Sequence, residues 1–252
     1  MRLPLAGDPK KRDLAIACGF ALLVQLPFLG KAYHMDEPFF LAAARHILQD
    51  PLHPFGFEFN WYGRSAPVAE IIHTPPLLPY LLAGALKLTG GSEGLMRLAF
   101  LPFDLAACAA LCLLASRFLA RPLLPVLIAV AGPAYLINMN HLMAEKPAAA
   151  FGFFSLHSLV RGIDARSAAW YWASAGLLAA AVMSKYHAAF LLLPALAYAW
   201  HRGTPARRLW GYMALALGPL AAALAWDALS GGTVLKGAWS YSASGAASPW
   251  SA

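Results

Sequence analysis

The sequence predicts an all-α, polytopic membrane bundle of about seven transmembrane helices, with interfacial helices in its first external loop. Three observations predict it. Of 252 residues, 60% are hydrophobic and only 12% charged, where a soluble domain carries about a quarter. The mean hydropathy is +0.57, and the apolar residues fall in runs near the roughly 20 that span a bilayer. The basic residues stand in short clusters between those runs. The net charge of +7 therefore marks orientation in a membrane rather than a nucleic-acid face.

Lys10-Lys11-Arg12 precede the first run, Asp13 to Leu29, which reads as a retained span with a cytoplasmic N-terminus, since no small-residue cleavage site follows it. The polar stretch from Gly30 to about His73 is too long and too mixed for a turn and reads as a functional external loop, extending to residue 94. Inside it, Pro38 to Gln49 carries Phe40, Ala43, Ala44, Ile47 and Leu48 at helical spacing, which predicts an amphipathic helix lying in the interface. Asp50-Pro51 ends it.

The piece from Leu77 to Leu88 is short for a span. Charge parity decides its role. The run Met96 to Ser116 ends in Arg117 and Arg121, and placing these with the other basic clusters leaves Leu77–Leu88 as a second interfacial helix. Leu123 to Met139 then goes outward, His141 to Lys146 makes an external turn, and Pro147 to Val160 returns to Arg161 and Arg166. Ala168 to Trp200 is too long for one span and is read as out and back, broken at Ser184-Lys185. Leu209 to Leu229 goes outward a seventh time, leaving Ser230 to Ala252 as an external tail. Residues 1–229 form one transmembrane module in this scheme.

Parity puts the polar groups of interest on one face. Asp36-Glu37 stands just after the first span, before Pro38. The pair reads equally as a helix N-cap and as a positioned carboxylate able to act as general base on a hydroxyl. Glu145 sits at the outer end of a span, where Lys146 offers a local partner. Lys185, between two apolar runs, needs a partner or a route to the interface, and as a point charge it suits phosphate. Arg64, His73 and Arg97 are weaker candidates for the same duty. Asp104 lies inside a span; a pair with Arg97 on the same helix face and a functional role both stay open. Cys18, Cys108 and Cys112 lie in apolar runs, and neither they nor the loop histidines His34, His53 and His73 show metal-ligand spacing. No metal site is predicted, and a divalent-cation requirement stays open.

The order of motifs resembles the polytopic GT-C glycosyltransferases, most closely the protein-mannosyltransferase and aminoarabinose-transferase-like group. The motifs are Asp36-Glu37 at the start of an amphipathic helix, His73-Thr74-Pro75-Pro76-Leu77, the stretch Gly91 to Leu98 ending in Arg97-Leu98, Glu145-Lys146-Pro147, and Ser184-Lys185-Tyr186. The resemblance implies a sugar donor on a polyprenyl phosphate and an acceptor that is a glycan, a lipid such as lipopolysaccharide, or a protein. It implies inverting transfer on the extracytoplasmic face of a bacterial inner membrane, with no nucleic-acid partner and no required cofactor. Asp36 matches the family's catalytic base, Glu37 its neighbour, Glu145 a second external acid and Lys185 the cation that meets the donor phosphate. The family's second acid is usually Asp, and its chains usually continue past seven spans, so a truncated form, a fragment or a minimal member is expected here. A non-catalytic scaffold and a lipid or solute transporter are the alternatives; the one-sided gathering of polar groups disfavours the transporter.

Overall fold

The computed structural model describes residues 9–61, 63–71 and 74–229; His73 and the tail at 230–252 lie outside the described residues. The described chain is almost wholly helical. Helix α1 (Pro9–Gln25) continues into a 3-10 turn at Leu26–Phe28. Helix α2 (Glu37–Ile47) buries Phe39, Phe40, Ala43, Ala44 and Ile47 and leaves Arg45 outside, as the apolar stripe predicts, while Leu48 falls past its end and is exposed.

A feature absent from the all-α expectation follows. Strands β1 (Glu58–Asn60) and β2 (Ser65–Pro67) form an antiparallel hairpin. Its turn contains Gly63 at φ 78°, a conformation that glycine adopts without Cβ strain. The physical reason is a period-two aromatic pattern, Phe57, Phe59 and Trp61, facing α2. The Phe39 ring meets those of Phe59 and Trp61 edge-on at 5.2 and 6.1 Å. Short α3 (Val68–Ile71) and α4 (Leu77–Thr89) complete this cap, with α4 packed against α2 through Leu78, Leu82 and Ala85 in one shared hydrophobic cluster.

The bundle follows. Helix α5 (Glu93–Phe118) and the last helix, α11 (Ala206–Leu229), are long and apolar enough to cross a membrane. Between them lie α6 (Leu123–Ala131), α7 (Pro133–Met139), α8 (Glu145–Asp164), α9 (Ala168–Ser184), a 3-10 turn at Tyr186–Leu191 and α10 (Leu192–His201). The run expected as one span from Leu123 is broken at Gly132-Pro133. Gly132 is extended (ψ 146°), and Pro133 restarts the helix in its first turn, where its missing N–H costs nothing. The break expected at Ser184-Lys185 is present, with Lys185 extended (φ −152°, ψ 125°).

Helices α8 and α9 make the most extensive pairing, and glycine permits it. A Cβ at Gly162 would meet the Tyr171 backbone nitrogen at 2.6 Å. Ser155, Ser174 and Tyr212 share hydroxyl hydrogen bonds across α8, α9 and α11, including Ser174 to Tyr212 at 2.7 Å. Small residues and hydroxyl pairs of this kind hold helices together where no hydrophobic drive separates protein from lipid. Large apolar side chains such as Leu23, Leu124, Ile128 and Leu193 point outward, more than 60% exposed.

The ends of the bundle differ in charge. The Arg117, Asp164 and Arg202 side chains meet at the C-terminal ends of α5, α8 and α10, with Asp164 accepting at 3.0 Å from Arg117 and at 2.8 Å from both Arg202 and Tyr198. These are helix ends that the parity rule groups on one side. Glu145 stands at the opposite end of α8, and Glu37, at the start of α2, pairs with Arg97 near the opposite end of α5.

Candidate active site

Glu37 is the centre of the polar network at the acid end. Its side chain is fully buried. Arg97 grips it with both terminal nitrogens, at 3.1 and 3.0 Å. The backbone N–H groups of Leu142 and His34 each donate to it at 2.7 Å. Burial alone would raise its pKa, but the guanidinium and the two N–H donors outweigh burial and hold it below the ordinary carboxylate value. A buried ion pair of this kind is strongly destabilising to break, because one partner is left charged and dry.

Arg97 spends its remaining donors on the chain. Its Nε donates to the Lys31 carbonyl at 2.7 Å, and its terminal nitrogens also reach the carbonyls of Ala32 and Asn140. All five N–H groups of the guanidinium fork are thus matched by acceptors. The same first turn of α5 holds the loop further along. Glu93 accepts from the Tyr33 N–H at 3.1 Å, and the Tyr33 hydroxyl donates to the Gly91 carbonyl at 2.9 Å. Successive residues from Lys31 to His34 are therefore tied to neighbouring elements.

Asp36 is the next residue but one. It occupies the N-cap position of α2, yet its side chain makes no capping bond; Glu37 reaches back to the His34 N–H instead. Asp36 is half-buried and has no hydrogen-bond or ion-pair partner for its carboxylate among the described residues. Met35 just before it adopts φ 55°, a left-handed conformation that non-glycine residues hold only where the surroundings over-determine it. The two acids therefore differ sharply: one is locked into the scaffold, the other is presented on it.

His141, Asn140 and Lys31 complete the neighbourhood, and sequence reasoning did not single them out. Lys31 Nζ lies 3.1 Å from Asn140 Oδ1 and 3.2 Å from His141 Nε2. His141 is buried, 3.7 Å from Glu37 and with its ring 5.9 Å from that of His34. Burial, then the Lys31 charge, lowers its pKa, with Glu37 opposing. The available signal was Asn138-Met139-Asn140-His141, an unusually polar step between two apolar runs.

The second acid sits close along the chain. Leu142, whose N–H binds Glu37, precedes Glu145 by three residues, a reach of no more than about 11 Å. Leu142 and Ala144 are buried in the α2–α4 cluster. Glu145 then pairs with Lys185 from the α9–α10 break. Its other oxygen, Oε2, is buried without a hydrogen-bond partner among the described residues. Lys146 turns the other way and binds Asp104 in the bundle interior at 2.8 Å. The local Glu145–Lys146 and Arg97–Asp104 pairings weighed from the sequence are thus replaced by Glu145–Lys185, Lys146–Asp104 and Arg97–Glu37.

A cavity of about 480 Å³ is lined by Tyr186, the residue after Lys185. One side carries Asp50, His53, Thr74, Tyr80 and Tyr186, and the other is the C-terminal half of α11, apolar at Leu220, Ala223 and Leu224 and ending in Trp226 and Asp227. The Thr74 hydroxyl is buried without a partner among the described residues. Arg64 lies apart, exposed on the hairpin turn. Among the described residues no group of three or more His, Cys, Asp or Glu side chains gathers as a metal site.

Comparison with curated proteins and with solved structures gives no match. Comparison with protein families gives one, described as dolichyl-phosphate-mannose-protein mannosyltransferase, over residues 73–226. That segment contains Arg97, Asp104, Glu145, Lys146 and Lys185 and begins after Asp36. With more than half of its length matched, the chain belongs to the dolichyl-phosphate-mannose-protein mannosyltransferase family, a family of membrane glycosyltransferases.

Proposed function

We propose that the chain transfers a sugar from a polyprenyl-phosphate donor to an acceptor hydroxyl, with Asp36 as general base. The observation that carries this is the contrast at residues 36 and 37. A carboxylate without a partner, on a backbone fixed from Lys31 to Glu37, is available to accept a proton. The donor class is supported by family membership, by the Lys185 cation and by the cavity at Tyr186, whose apolar stretch at Leu220, Ala223 and Leu224 suits a sugar attached to a lipid.

In the proposed step the acceptor oxygen forms a bond to the anomeric carbon while the bond from that carbon to the phosphate oxygen breaks. The hydroxyl proton passes to Asp36, and the electron pair leaves with the polyprenyl phosphate. A single displacement inverts the anomeric centre. Lys185 uses one N–H on Glu145 and retains two for the departing phosphate. Glu145 fixes the lysine. Arg97 and Glu37 act on the site by positioning Asp36. The seven-pass arrangement, with this face extracytoplasmic, belongs to the same proposal; it is supported by the meeting of Arg117, Asp164 and Arg202 at the far end.

The experiment is donor selection in proteoliposomes. With membrane extract as the source of acceptors, the chain should release free polyprenyl phosphate from a polyprenyl-phosphate sugar and leave nucleotide sugars untouched. Turnover of the nucleotide sugar with none of the lipid-linked donor would overturn the proposal. Tight binding of the lipid-linked donor without turnover would instead support a non-catalytic scaffold.

A further inference from the structure

At the end of the bundle away from Asp36, a cavity of about 400 Å³ lies between the α8–α9 and α10–α11 turns. Arg166, Arg202 and Arg208 line it, with Tyr171, Trp172 and Thr204, and no acidic side chain does. The nearest carboxylate partner, Asp164, is divided between Arg202 and Arg117. Arg166 and Arg208 have no side-chain hydrogen bond or ion pair among the described residues. Three guanidiniums are therefore held around one space with a single carboxylate shared outside it.

The backbone adds to the same potential. Helices α9 and α11 both begin at this cavity, and Ser167, the N-cap of α9, makes no side-chain capping bond. The positive dipole ends of both helices favour an anion. Arg166 itself sits at φ 51°. Its N–H donates to the Ile163 carbonyl, and the Ser167 N–H donates to the Gly162 carbonyl at 2.8 Å. That is the helix-ending turn in which glycine is the usual residue. An arginine occupies it here, so a guanidinium stands where the backbone favours no side chain at all.

The depth of the cavity is marked by aromatics. Trp172 lines it, Arg161 stacks 4.1 Å above the Trp170 ring, and Trp170, Trp200 and Trp210 are exposed nearby. Exposed tryptophans collect at the level of lipid headgroups. We infer that this cavity binds a phosphate group at the membrane surface, as carried by an anionic phospholipid headgroup. The site is separate from the transfer site and does not depend on its chemistry.

The test is the thermal midpoint of the purified full chain in detergent. Phosphatidylglycerol should raise it by on the order of 3 °C over phosphatidylcholine. Inorganic phosphate is the second arm. A shift with the lipid alone assigns the site to a headgroup, a shift with both assigns it to phosphate from either source, and no shift with either overturns the inference. The Arg166→Gly/Arg208→Gln variant should lose the shift, while its own midpoint in phosphatidylcholine holds because glycine fits the left-handed turn. Arg207→Gln, a neighbour outside the cavity, should keep the shift. Equal loss in that control would mean bulk charge attraction and would overturn the site.

Discussion

The two ends of the bundle handle charge in opposite ways. At the acid end, Glu37 and Arg97 are buried and paired, Lys146 and Asp104 pair in the bundle interior, and Asp36 beside Glu37 is left presented. At the basic end, arginines stand on the surface, and Asp164 ties three helix ends together through half-exposed contacts. Burial makes the first set strong and directional, so it can position a reacting group to within a fraction of an ångström. Exposure makes the second set weak pair by pair, so it acts through summed potential. The proposed transfer belongs at the end where geometry is fixed, and the proposed headgroup recognition at the other.

The comparison breaks most easily at Arg97. Arg97→Gln leaves Glu37 buried without its cation and should lower stability by about 3–5 kcal/mol, read as denaturation in detergent. Arg97→Lys keeps the charge but supplies three donors where five are used, and should rescue little. A near-wild-type midpoint for Arg97→Gln would remove the distinction between the two ends.

Lys185→Gln is the next test. It removes one charged donor from the proposed leaving group, and transfer should fall by about 10²-fold with donor binding weakened less. A drop confined to KM would move Lys185 from the reacting phosphate to general binding.

Acidification sharpens the same contrast. His141 has a lowered pKa in the folded chain, so the unfolded state takes up its proton first. Its stabilising contribution is complete above about pH 6.5 and is lost as pH falls through the folded-state value. Glu37, also lowered, follows the same sign at more acidic pH, from about 4.3 downward. The thermal midpoint should therefore decline from pH 7 toward pH 5.5, and His141→Asn should flatten that part of the profile. A midpoint rising over this range would reverse the assignment. The smallest effect is expected at the basic end, where Asp164→Asn should cost less than about 1 kcal/mol and respond to salt; a larger, salt-independent loss would mean that this end is built like the other.

Much of this arrangement is legible in the sequence because hydrophobic periodicity and charge parity are local signals. The stripe on α2, the break at Lys185 and the grouping of Arg117 with Arg202 all follow from them. The hairpin also has a local signal, Phe57, Phe59 and Trp61 at period two, but it falls in a stretch whose mix of acids, bases, histidines and aromatics reads as an external loop. The charge partners were not legible. Residues at i and i+1 on a helix point about 100° apart, so Glu145 and Lys146 serve different surfaces although they are adjacent. Arg97 and Asp104 do share α5, but each meets a nearer opposite charge from a segment distant in sequence. Glu37 reads from the sequence as a second acid beside Asp36, and its commitment to Arg97 is a contact 60 residues away along the chain.

In the proposed mechanism Asp36 reacts and Glu37 holds. Sugar transfer from a polyprenyl-phosphate donor by Asp36→Asn, measured beside its thermal midpoint, tests this most directly. A loss of about 10²–10⁴-fold at an unchanged midpoint is the expected result. Wild-type transfer by Asp36→Asn, or a loss that merely follows a lowered midpoint, would contradict it.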